Sequence, residues 1–185
     1  MLDEAAIIPW SIEEITRYRK CCWKNQTILE RFIKAGEEHG FRKDILYSAD
    51  YGDAHTYIDL IEGSERLAAN LLELGIKPRY VALFQLNNTP LFFYLWFALT
   101  RLGAAPLHID TRFRLKEISA WGKTLEAEIY VMPGSFRKYD YYELAENLKK
   151  ELPSLKFVLT PSTEKEGVLS IEKLLRQTPS PQSLK

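Results

Sequence analysis

Apolar residues along the chain recur at two alternating periods, one helical and one extended. Ser11 ahead of Glu13 and Glu14 is a helix start, because the hydroxyl satisfies open N–H groups and the acidic pair suits the positive end of the helix dipole. This predicts a helix to about Lys20. A second helix is predicted over Thr27 to Glu38, with Ile28, Leu29, Phe32, Ile33 and Ala35 on one stripe and Gly40 as its stop. Asp44 to Ala49 reads as a strand, Asp50-Tyr51-Gly52-Asp53 as a turn and His55 to Tyr57 as the hairpin partner. From about Ile58 to Leu74, Ile61, Leu67, Ala68, Leu71 and Leu72 fall at helical spacing, and Gly75 ends the helix.

Val81 to Leu86 is a near-continuous apolar run, the pattern of a strand covered on both faces. Asn87 or Asn88 is expected to cap the next helix. That helix carries the aromatic run to Leu102, ends at Gly103 and turns Trp96 and Leu99 to the core. The alternation then repeats. Strands are predicted at Ala104–Ile109, Ala127–Met132 and Lys156–Thr160, and helices at Leu115–Thr124, Tyr139–Leu152 and Ser170–Leu175. Strands alternating with helices give an α/β fold, a mostly parallel sheet with helices on both faces. The expected organisation is one domain over 1–176 and a fraying Pro/Ser-rich tail over 177–185.

Composition narrows the function classes. The 25 basic and 25 acidic residues cancel, so charge gives no argument for nucleic acid or an anionic membrane. The uncharged run Leu91 to Leu99 is too short to span a bilayer, and residues 1–10 lack the basic start of a signal peptide. Cys21 and Cys22 are adjacent and have no other cysteine to pair with, which fits thiols in a reducing cytoplasm. His39, His55 and His108 are scattered, without the spacing of a zinc site. No Gly-rich phosphate loop occurs; Gly63, Gly75 and Gly103 stand alone.

Several segments resemble a known family. Thr56-Tyr57 and the run Glu65 to Pro78 are similar to the first core motif of adenylate-forming ligases, and Phe97 to Leu107 is similar to their second. Pro9-Trp10, Tyr18-Arg19, Cys22-Trp23 and the stretch Phe136 to Leu155 resemble the aryl-acid–AMP ligases, which activate 2,3-dihydroxybenzoate or salicylate for siderophore assembly. Three departures stand out. Where the family has a Pro-Gly-Asp turn, Pro78-Arg79-Tyr80 is one residue shorter and lacks the glycine, and Leu86-Asn87-Asn88 lacks the proline of its Leu-Pro-Asn. Thr111-Arg112-Phe113-Arg114 keeps only the final Arg of its Pro-Ala-His-Arg.

The resemblance implies the first subdomain of such an enzyme, about a third of it. A complete enzyme would use ATP and Mg²⁺, and its catalytic groups and acid-selecting residues would lie downstream of Lys185. No catalytic, cofactor-binding or metal residue is therefore assigned here, and this chain alone is expected to be inactive and to bind no cofactor. It reads as a remnant or one half of a split enzyme. The alternative is a non-catalytic interaction module derived from the fold. Expected partners are a second copy or a downstream C-terminal fragment.

Four local groupings are open to two readings each. His108 and Asp110, at a strand end, form a candidate base pair or an ordinary hydrogen-bonded exit. Arg17, Arg19, Lys20 and Lys24 around Trp23 form a candidate anion or partner site, or a solvated helix face. Tyr139, Tyr141 and Tyr142 read as a helix start before a stacking platform. Phe92, Phe93, Tyr94, Trp96 and Phe97 read as core before a cofactor box.

Overall fold

The computed structural model describes residues 11–21, 26–49, 52–163 and 165–180. Helix α1 (Ile12–Cys21) and α2 (Ile28–His39) lead the chain. The Thr27 hydroxyl accepts from the Glu30 amide at 3.1 Å while the Glu30 carboxylate accepts from the Thr27 amide at 2.7 Å, a reciprocal cap, and Gly40 at φ 92° stops the helix. Strands β1 (Asp44–Ser48) and β2 (Asp53–Thr56) form an antiparallel hairpin. Asp50 and Tyr51, read as part of its turn, lie outside the described residues, as do Pro9, Trp10, Cys22, Trp23 and Lys24.

Thr56 opens α3 (Tyr57–Glu73) with a second capping box. The Asp59 carboxylate accepts from the Thr56 hydroxyl at 2.7 Å and from its amide at 2.9 Å. The hydroxyl bond first, then the amide bond, holds the Asp59 carboxyl below its usual range. A depressed folded-state value means the bonds stabilise fully above about pH 4, the unfolded value, and that this is lost as pH falls through the folded one. Asp59 is exposed, so Asp59→Asn is expected to cost only about 0.5–1 kcal/mol at pH 7. The gap between the two proteins should narrow as pH falls below about 4 in urea denaturation. A gap that stays constant to pH 3 would refute it.

The central sheet contains β3 (Val81–Phe84), β4 (Ala105–His108), β5 (Ile129–Val131), β8 (Phe157–Thr160) and β9 (Leu169–Ser170), all parallel, in the order β4-β3-β5-β8-β9. Helix α4 (Pro90–Arg101) links β3 to β4, α5 (Leu115–Leu125) links β4 to β5, and α6 (Tyr141–Glu151) precedes β8. A two-residue hairpin, β6 (Ser135–Phe136) and β7 (Tyr139–Asp140), is inserted after β5, and α7 (Ile171–Arg176) follows β9. The α/β fold with a mostly parallel sheet is as the alternation predicts.

Side-chain alternation builds two cores. Ala82, Phe84, Ile129, Val131 and Leu159 face α3, α4 and α7, where Leu67, Leu71, Leu95, Leu99 and Ile171 meet them. Leu83, Tyr130 and Val158 face α5 and α6, against Ile118, Leu144 and Leu148. β4 is an edge strand. Ala105 and Ile109 donate to Tyr80 and Phe84 of the β3 segment, so the intervening Pro106 turns its missing N–H away from the sheet, where it blunts the open edge.

Three expectations need correction. The cap of α4 is Thr89, not Asn87 or Asn88, because Pro90 occupies the first helical position and has no N–H to satisfy. Tyr139 belongs to β7, and α6 starts at Tyr141 behind Asp140, whose carboxylate accepts from the Tyr142 amide at 2.8 Å. Trp96 and Leu99 both pack on the core as expected, Leu99 fully buried and Trp96 half-buried. Of the tail expected over 177–185, residues 181–185 lie outside the described residues, and 177–180 lie against α3. The Asn70 amide donates to the Gln177 carbonyl at 2.9 Å, and the Ser180 amide donates to Glu73 at 2.6 Å. β9 and the β6–β7 hairpin were not expected at all, since each strand has two residues and carries no periodic signal.

Two family motifs meet in the fold. The Arg79 amide donates to the Gly103 carbonyl at 2.7 Å, and Gly103 sits at φ 71°. Arg79 itself adopts φ 71°, the left-handed backbone that glycine favours, in the turn that leads into β3.

Candidate functional site

The chain leaves β3 toward α4 on one face, and leaves β5 toward α6 on the other. This reversal opens a crevice at the carboxyl ends of the strands, the place where open α/β sheets bind ligands. Two clefts lie there. One, of about 700 Å³, is bounded by Phe84, Asn87, Phe92, His108, Arg112 and Arg137. The other, of about 600 Å³, is bounded by His55, Asn87, Thr89, Tyr94, Ser135 and Arg176, among others. Asn87 and Phe136 line both.

The wall of the first cleft is the segment 109–114 after β4, and three groups hold it. Gln85 is fully buried at the end of β3; its amide donates to the Asp110 and Phe113 carbonyls at 2.9 and 3.1 Å. The Tyr130 hydroxyl donates to the Gln85 oxygen at 2.7 Å, and burial holds the Tyr130 phenol far above its ordinary value, so it stays a donor. The Tyr141 hydroxyl donates to the Thr111 carbonyl at 2.7 Å. Arg114 donates to the Thr111 and Phe113 carbonyls at 2.6 and 2.8 Å and stacks 3.9 Å over Tyr139. The family arginine kept at position 114 thus braces a loop, and the tyrosines serve as packing and support.

His108 and Asp110 share the cleft but form no pair. His108 stacks on Phe92 at 5.2 Å and 23° and meets Phe84 edge-on at 5.4 Å; burial lowers its pKa. Asp110 is taken by Arg112 in a two-pronged ion pair, 3.0 Å at each oxygen, and that hydrogen bonding holds its carboxyl low. A carboxylate so engaged leaves no partner for an imidazole base.

In the second cleft the structure joins residues the sequence reading left apart. Asp53 Oδ2 lies 3.0 Å from His55 Nε2, and His55 Nδ1 lies 3.0 Å from the Tyr94 hydroxyl. With Nε2–H donated to the carboxylate, Nδ1 accepts from the phenol. Burial first, then the charges of Asp59 and Asp53, pushes the Tyr94 pKa up to about 12. The i,i+2 spacing of Asp53 and His55 on one strand face was the available signal. Tyr94, on another helix, gave none. Arg17, Arg19 and Lys20 are exposed on α1, with Arg17 lying 5.1 Å over Tyr18, and Cys21 is an exposed free thiol.

No helix among the described residues is long and apolar enough to cross a membrane. Comparison with known proteins places this geometry. The chain is 33% identical over 168 residues to the 2,3-dihydroxybenzoate-AMP ligase of Bacillus subtilis, covering 90% of this chain and 30% of that protein. It is 29% identical over 158 residues to the salicyl-AMP ligase / salicyl-S-ArCP synthetase of Mycobacterium tuberculosis, covering 82% and 27%. MbtA of Mycobacterium smegmatis superposes with a TM-score of 0.79 at 28% identity, over 96% of this chain and 32% of that one. The chain thus spans under a third of the length of these relatives, the first two of which are aryl-acid–AMP ligases by name. The AMP-binding enzyme family matches residues 32–184, and the chain belongs to that family.

Proposed function

We propose that this chain is the N-terminal subdomain of an ATP-dependent aryl-acid–AMP ligase, of the type that activates 2,3-dihydroxybenzoate or salicylate for siderophore biosynthesis. The likeness to such a ligase along 90% of the chain carries the reading. The parallel sheet supplies a ligand crevice, but the 185 residues contain no Gly-rich run to cradle phosphates. The chain alone is therefore inactive. ATP and Mg²⁺ belong to the assembled enzyme, in the cytoplasm. Its partner is the remaining part of a ligase, with a second copy as the alternative cover for exposed Phe113, Trp121 and Leu125.

Acid-dependent exchange of pyrophosphate into ATP tests this. The chain alone is expected to give background exchange. A chimera in which it replaces the matching segment of the Bacillus subtilis ligase is expected to exchange with 2,3-dihydroxybenzoate. Exchange by the chain alone, abolished by heat, would overturn the inactive reading. A folded chimera without exchange would favour the interaction-module alternative.

A further inference from the structure

We propose that the β6–β7 hairpin is a flap whose Phe136 keeps the two clefts apart, and that Arg114 is its latch. Phe136 and Asn87 belong to the walls of both clefts, so Phe136 stands where the two meet. The flap opens by local unpairing. Withdrawal of Phe136 then joins spaces of about 700 and 600 Å³ into one crevice, which admits a ligand longer than either cleft.

The backbone alone holds this hairpin poorly. Each strand has two residues, and neither pairs with the central sheet. A two-stranded hairpin by itself is marginal in water. Its turn adds strain, because Arg137 and Lys138 lie at φ 50° and 63°, where a residue with a Cβ is disfavoured. Such a turn favours Asn-Gly. Phe136 and Tyr139 rest half-buried on the second core. A side-chain contact supplies the rest. The Arg114 guanidinium lies 3.9 Å over the Tyr139 ring and 5.7 Å from the Tyr141 ring, and the two rings meet edge-on at 4.8 Å. The same guanidinium donates to the Thr111 and Phe113 carbonyls, so it ties the flap to the loop that walls the first cleft. Elements with so few buried contacts open at a lower free energy than the whole domain.

Native-state hydrogen exchange of the full chain under rising urea, read by mass spectrometry, is the test. Residues 135–140 are expected to exchange faster than β5 and β8, at a rate that low urea leaves unchanged, the mark of an opening that exposes little surface. Leu99→Ala should speed exchange in β5 and β8 and leave 135–140 unchanged, since the flap opens without exposing α4. Tyr139→Leu removes the ring under the guanidinium and should speed 135–140 about tenfold. Arg114→Met should do the same, and the double variant should be no faster than Arg114→Met alone, because the shared contact is already gone. Arg137→Asn combined with Lys138→Gly should slow 135–140 about tenfold by relieving the turn. Exchange of 135–140 in step with β5 and β8 at every urea concentration, or its acceleration by Leu99→Ala, would overturn the flap. Unchanged exchange in Tyr139→Leu, or strict additivity in the double variant, would overturn the latch. The measurement needs neither ligand nor catalysis, so it stands apart from the pyrophosphate assay.

Discussion

Leu99→Ala is expected to lower unfolding stability by about 3–5 kcal/mol, more than Trp96→Ala despite the smaller side chain. Both residues lie on α4, but Leu99 has no exposed surface and sits between α3 and the sheet, where truncation leaves a void that packed neighbours cannot fill. Trp96 is half-buried, edge-on to Phe97 at 5.1 Å, and water can enter the space it vacates. Its loss should cost about 1–3 kcal/mol, the range for partial removal of a large apolar side chain from cover. Urea denaturation of both variants decides the order. A larger loss for Trp96→Ala would mean that α4 is rotated from the register described.

Gln85→Leu keeps the side-chain volume roughly and removes the amide at the centre of the cleft wall. It leaves the Tyr130 hydroxyl and the Asp110 and Phe113 carbonyls without their partner. A buried group left unsatisfied costs about 1–3 kcal/mol, and with partial rescue of the carbonyls by water a total of about 3–4 kcal/mol is expected. Tyr130→Phe orphans only the Gln85 oxygen and should cost about 1–2 kcal/mol. The double variant should recover part of the single losses, because the hydroxyl and its acceptor disappear together. Strict additivity of the two would show that the 2.7 Å contact carries no coupling.

The candidate site was legible only in part. His108 was singled out because it ends an apolar strand, and the structure does place it at the crevice. Its pairing with Asp110 failed because Arg112, two residues beyond the carboxylate, reaches it first. The Asp53–His55–Tyr94 chain joins a hairpin to a helix 39 residues away, a contact with no local signature. Arg137 lies in a turn without Gly or Asn, so nothing in the residue types announced a hairpin.

What the sequence determined by itself is the layer architecture and the family. Apolar periodicity specifies which residues must leave water, and caps such as Thr27 and Thr56 act over three residues, within reach of a local reading. Which strand neighbours which, how the crevice opens between β3 and β5, and which charges are already paired were decided only by tertiary structure. Those outcomes depend on contacts between residues tens of positions apart, where burial and hydrogen-bond satisfaction override any local preference.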